Sequence, residues 1–165
     1  MGYKEDRIWS DGFTTVIKRT LGEAVIHVAP DEDDLERNTD FIVFDLYGKR
    51  IACRIRKNSD LKWYHNQFTI RTARPSGVRT ELDKIMEGLG DYLFYGFSNY
   101  DETDLAQWIL GDLNVFRNYI FQYMKNNHGE LPGILKRNDD GTMFRVFYYR
   151  DIPGFIKESS MNQPR

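Results

Sequence analysis

The sequence predicts a mixed α/β fold of the α+β kind, a single mixed central β-sheet flanked by helices, and three observations carry that prediction. Apolar residues recur at helical spacing in three separate stretches, which marks amphipathic helices. Other short stretches alternate with period two or run as apolar blocks, as strands do. The two kinds interleave along the chain, so helices must pack around a sheet rather than form a separate bundle. With 165 residues, 41 % apolar and 15 % aromatic, the chain can enclose a core and does not have a disordered composition.

Each element follows in order. Residues 3–20 place Ile8, Trp9, Phe13, Val16 and Ile17 on one helical stripe that ends near Gly22. "AVIHV" (24–28) reads as a short strand stopped by Pro30, and the acidic run "DEDDLERNTD" (31–40) as a solvated loop. "FIVFDLY" (41–47) is apolar on both faces, turns at Gly48 and Lys49, and returns as "RIACRIR" (50–56), a hairpin. In the return strand Ile51, Cys53 and Ile55 share one face, expected in the core, while Arg50, Ala52, Arg54 and Arg56 share the other. "KWYHNQ" reads as a loop, and "QFTIRT" (67–72) as a further alternating strand. After Pro75 and Gly77 a helix runs from Val78 to Gly88, burying Val78, Leu82, Ile85 and Met86. "DYLFYGFS" (91–98) and "QWILGDL" (107–113) are strands. "NVFRNYIFQYMKNN" (114–127) is a helix capped by Asn114, with Val115, Tyr119, Ile120 and Tyr123 inside. "NDDGT" makes a turn before a last strand, 143–152. Residues 1–158 are expected to form one domain and 159–165 a frayed tail.

Charge and cysteine content narrow the function. The 23 Lys+Arg and 25 Asp+Glu leave a net charge of −2, so any nucleic-acid site must be a local patch. Cys53 is the sole cysteine, which excludes an intrachain disulfide and a four-cysteine metal site. On the apolar face of its strand it is expected to be buried and inert. His27, His65 and His128 lie in no ligand spacing. No glycine-rich phosphate loop is present, since "GLGDYLFYG" lacks the lysine and the strand-before-helix setting. The charged start "MGYKEDRIWSDGF" predicts no signal peptide, no stretch predicts a membrane span, and a reducing cytoplasm is the expected setting.

The basic residues suggest one constellation. Arg54 and Arg56, about 6.6 Å apart along a strand, match the spacing of successive phosphates, and Arg71 on the next strand extends the stripe. Guanidinium groups grip phosphate by paired hydrogen bonds. Arg74 and Arg79 flank the turn into the 78–88 helix, whose free N–H groups attract anions, and Thr80, Glu81 and Lys84 lie on its first turns. Trp63 and Tyr64 could stack bases. The alternative is a solvated strand neutralised by Asp31–Glu36 and Asp40, with an ordinary capping turn and a Glu81–Lys84 surface pair.

The succession of helix, strand, hairpin with Asp40 at the head of one strand, charged strand and helix resembles the PD-(D/E)XK, or restriction-endonuclease-like, superfamily. "TELDKIMEGLGDYLFYGFS", "WILGDL" and "NDDGTMFRVFYYRDIP" look like its small phage- or prophage-borne members. The resemblance covers roughly residues 3–155. It implies that Asp40 is the first metal-binding aspartate, that Arg54 stands where the second carboxylate belongs, and that Arg56 stands for the lysine. Glu5 or Asp6 would be the acidic residue of the first helix. An arginine supplies no oxygen ligand and repels the cation, so Mg²⁺ is expected only if Glu81 or Asp45 joins Asp40. Arg56 could still stabilise a phosphate transition state. Three readings stay open: a nuclease-like protein that binds nucleic acid, DNA in preference to RNA, with an altered metal site; an endonuclease with a migrated carboxylate; and a phage-encoded interaction or inhibitor module with a protein partner.

Overall fold

Seven of the strands belong to residues 50–162 and form two sheets. In the computed structural model, residues 3–24, 26–28, 41–43, 46 and 48–162 are described. The chain divides into two units, Met1–Lys49 and Arg50–Arg165.

The first unit holds α1 (Tyr3–Asp11) and α2 (Thr14–Ala24). The single helix expected over 3–20 is broken at Gly12, whose N–H reaches back to the Ile8 and Trp9 carbonyls at 3.3 and 3.2 Å. The break splits the apolar stripe: Phe13 and Ile17 are buried, Ile8 is exposed. Trp9 meets Phe13 edge-on, centroids 5.0 Å apart. β1 (Ile26–Val28) and β2 (Phe41–Val43) then pair antiparallel.

The second unit begins with β3 (Ile51–Arg56). The expected hairpin with β2 is not among the pairings of the described residues, although Gly48 adopts a positive φ of 72° and Lys49 N–H closes a turn onto Leu46. β3 instead lies parallel to β5 (Tyr92–Ser98), with Arg54 opposite Tyr95. The reason lies in β5, buried almost throughout, which needs a strand on each side to satisfy its backbone groups. β6 (Leu105–Asp112) occupies the other side, and β9 (Ile156–Ser159) closes that sheet in the order β3-β5-β6-β9. The second sheet is antiparallel, in the order β4 (Gln67–Ala73), β8 (Met143–Tyr148), β7 (Ile134–Arg137). The mixed α+β architecture with flanking helices is therefore present, its strands divided between sheets.

The helices of this unit are α3 (Asn58–Tyr64), α4 (Glu81–Met86) and α5 (Leu113–Asn126). α3 falls where a loop was expected. Its backbone is pinned at Asn58, whose N–H donates to Ser98 Oγ at 3.1 Å and whose side-chain amide donates to the Ser98 carbonyl at 2.9 Å. α4 is shorter than predicted and starts at the Thr80 cap, which leaves Val78 exposed outside it. α5 is capped by Asp112 rather than Asn114, with the Asp112 carboxylate accepting the Asn114 and Val115 N–H groups. Its inner face is Leu113, Phe116, Arg117 and Ile120; Tyr123 points outward.

The main core joins both sheets, α4 and α5: Phe68 and Ile70 from β4, Leu93, Tyr95 and Phe97 from β5, Ile109 from β6, and Phe147 from β8. Phe68 stacks on Phe155 at 4.7 Å and on Phe147 at 5.4 Å. The end of the chain is tied in through residue 160: Ser159 is buried in β9, and the Trp108 N–H donates to Ser160 Oγ at 3.0 Å. No helix among the described residues is long and apolar enough to cross a membrane.

Candidate nucleic-acid interface

In the parallel register, paired residues point to the same side of the sheet. Arg54 opposite Tyr95 and Arg56 opposite Phe97 therefore put the arginines on the core-facing side of β3, at its edge. Ile51, Cys53 and Ile55 share the other side. The period-two alternation is as predicted, but the side that meets the main core cluster carries Arg54 and Arg56, and the other side is buried at Ile55 only. Ile55 is buried, yet Cys53, expected in the core, is exposed, and Arg54 is half-buried. An edge strand leaves room for this, because a long guanidinium can cross from β3 to the neighbouring sheet with its stem covered and its head bonded.

Arg54 uses two nitrogens. One donates to the Thr69 carbonyl of β4 at 2.9 Å and to Thr69 Oγ1 at 3.3 Å; the other forms an ion pair with Glu81 of α4 at 3.0 Å. The same Glu81 oxygen accepts the Arg71 backbone N–H at 3.2 Å. Glu81 is thus a clasp between β3, β4 and α4.

Arg71 is half-buried at the other edge of this cluster. Burial lowers its pKa, and the charges of Arg54 and Arg74 lower it further, against the opposing pull of Glu81 and Asp140. The charges of Arg54 and Arg74 are thus both felt at Arg71. Arg56 stands apart, since its Nε and one terminal nitrogen both donate to Asp60 of α3, at 3.1 and 2.9 Å. Its pKa is raised: burial opposes the charge, but Tyr95, Asp60 and Tyr64 together outweigh it.

The residues predicted around α4 separate. Arg79 is exposed and pairs with Glu87 at 2.5 Å. Thr80 is buried and spent on a capping box: its N–H and hydroxyl both donate to Asp83 at 2.7 Å, and its hydroxyl accepts the Asp83 N–H at 3.4 Å. That cap occupies N–H groups offered above as an anion site, and a helix of six residues has little dipole to add. Lys84 is exposed in the last turn of α4. Asp40, Asp45 and the acidic run 31–40 lie outside the described residues. Glu5 is exposed, and the Asp6 side chain is not described. Among the described residues no group of three or more His, Cys, Asp or Glu side chains is placed to hold a metal ion.

Sequence reasoning missed Asp60 as the partner of Arg56, and with it α3. The signal was available: Arg56 and Asp60 have the i,i+4 spacing of a helical ion pair. α3 also presents Lys62 and Trp63 together, with the ammonium 4.5 Å from the ring centroid. No family model, curated protein or solved structure matches the chain.

Proposed function

We propose that this chain binds nucleic acid through the Arg54–Arg71–Arg74 cluster and does not cut it by the standard metal-dependent route of PD-(D/E)XK nucleases, the superfamily that its sequence resembles. The observation that carries the reading is geometric: one Glu81 oxygen pairs with the Arg54 guanidinium at 3.0 Å and accepts the Arg71 backbone N–H at 3.2 Å, which gathers both arginines around a single carboxylate. Burial lowers the Arg71 pKa, and the positive charges of Arg54 and Arg74 lower it further, a local concentration of positive charge inside a chain of net charge −2. A concentration of this kind, made of bidentate donors, suits the phosphate backbone.

Chemistry at the cluster argues against the migrated-carboxylate reading. Glu81, one of the two side chains that could replace the missing ligand, is held by Arg54 and by the Arg71 amide. A carboxylate so engaged has little charge to offer Mg²⁺, and the adjacent guanidinium repels the ion. DNA is the preferred ligand class, in a cytoplasmic setting.

A second reading, a protein-interaction module, is favoured by β7. All four of its residues are exposed, Ile134 and Leu135 at 47 % each, at the edge of the three-stranded sheet, and an exposed edge can accept a strand from a partner.

Salt separates the two. With about three phosphate contacts, the log–log slope of the binding constant against salt should be roughly −2 to −3. Fluorescence anisotropy with a labelled duplex should show that slope flattening by about one to two in Arg71→Ala/Arg74→Ala. Absence of binding at low salt, or a slope indifferent to both substitutions, would leave the interaction module as the better reading.

A further inference from the structure

We propose that α3 is a base-stacking platform beside the arginine cluster and that the ligand is therefore single-stranded nucleic acid, an inference that rests on the nucleic-acid reading above. Trp63 exposes 66 % of its surface and Tyr64 43 %, on a seven-residue helix with no buried residue. An aromatic held outside the core offers its π-face to any base, whatever the sequence.

Two further observations point to a nucleic acid rather than to an apolar partner. The first is charge. Lys57 caps α3 and Lys62 precedes Trp63, while Asp60, the one acidic residue of α3, is paired with Arg56. The Lys62 ammonium over the Trp63 ring sits where it can turn to a phosphate while a base stacks on the indole. The second is connection to the cluster. α3 follows β3 directly, and the Arg56–Asp60 pair at 2.9 Å ties the platform to the strand that carries Arg54. The platform is also fixed: Asn58 is locked to Ser98, and the Gln107 side-chain amide donates to the His65 carbonyl at 2.5 Å. Paired bases in a duplex present no open face to Trp63; bases of a single strand do.

The test compares a labelled oligothymidylate of about 20 nucleotides with a duplex of equal length, by anisotropy at low salt, using the full chain. The unmodified protein should bind the single strand more tightly, and the single strand should quench tryptophan fluorescence. Trp63→Ala should weaken single-strand binding by about 5- to 100-fold, the range expected for one lost stack, with duplex binding unchanged. Trp63→Phe should restore most of the loss. Trp63 is exposed, so the variants should keep the unmodified circular dichroism spectrum. Equal affinity for both ligands, with no effect of Trp63→Ala, would overturn this inference and leave the Arg54–Arg71–Arg74 reading intact. Failure of both ligands to bind would overturn both.

Discussion

Arg54 is fastened at both ends of its guanidinium, to a carbonyl of β4 and to a carboxylate of α4. Its ion pair with Glu81 is less than a quarter exposed on either side, so solvent screens it less than a surface pair. Removing one partner strands the other charge in a half-dry place. Glu81→Ala should therefore cost about 1–2 kcal/mol, read by urea denaturation. The double variant with Arg54→Ala should recover part of that, with a coupling of about 1 kcal/mol. Additive losses would show that Glu81 acts through the Arg71 amide alone. The alternation of "RIACRIR" was legible from its residues, because side-chain direction in a strand is a local property. Which side faced the core was not. Two isoleucines and a cysteine outvote three arginines on any hydrophobic count, and only the pairing with β5 fixes the side on which Arg54 and Arg56 stand.

β6 carries a constraint that its sequence shows only as a glycine. A Cβ on Gly111 would overlap the ring of Phe155, which is fully buried and stacks on Phe68. The ring lies flat on the strand because no side chain stands there. Gly111→Ala should cost about 2–3 kcal/mol, since a close-packed aromatic has no room to yield. The urea midpoint should fall while the slope stays the same; an unchanged midpoint would mean that Phe155 can move aside. The elements legible in advance were those with many apolar residues, such as β5, β6 and α5. β7 was missed because all four of its residues are exposed, so no burial pattern marks it. α3 was missed because Leu61 alone carries its packing on the core, too little to make a helical stripe. The 3–20 helix was read as unbroken because Gly12 reads as one tolerated glycine, whereas it ends a turn. Of the site, the arginines could be named from sequence and Asp60 could have been, from its spacing to Arg56, but the clasp of Glu81 could not, since it depends on where the chain returns.

Across the whole second unit, the two sheets share one core, with Phe68 and Ile70 from one and Tyr95 and Ile109 from the other in the same cluster. Neither sheet can open without exposing that cluster, so hydrogen exchange should give β5, β6, β4 and β8 amides a common opening free energy. Markedly weaker protection of β4 and β8 would show separate cooperative units. The parallel pairing of β3 with β5 has a consequence for synthesis. Between them the chain leaves the first sheet, lays down α3, β4 and α4, and only then comes back. β4 must wait for β8, with Gln67 opposite Tyr148 about 80 residues later. At roughly 5–20 residues per second, Phe68 and Ile70 spend on the order of 4–16 s emerged from the ribosome without their strand partner. For that interval the nascent protein displays an unpaired apolar strand, and a chaperone that holds extended apolar segments has its opportunity there and loses it once residue 148 arrives.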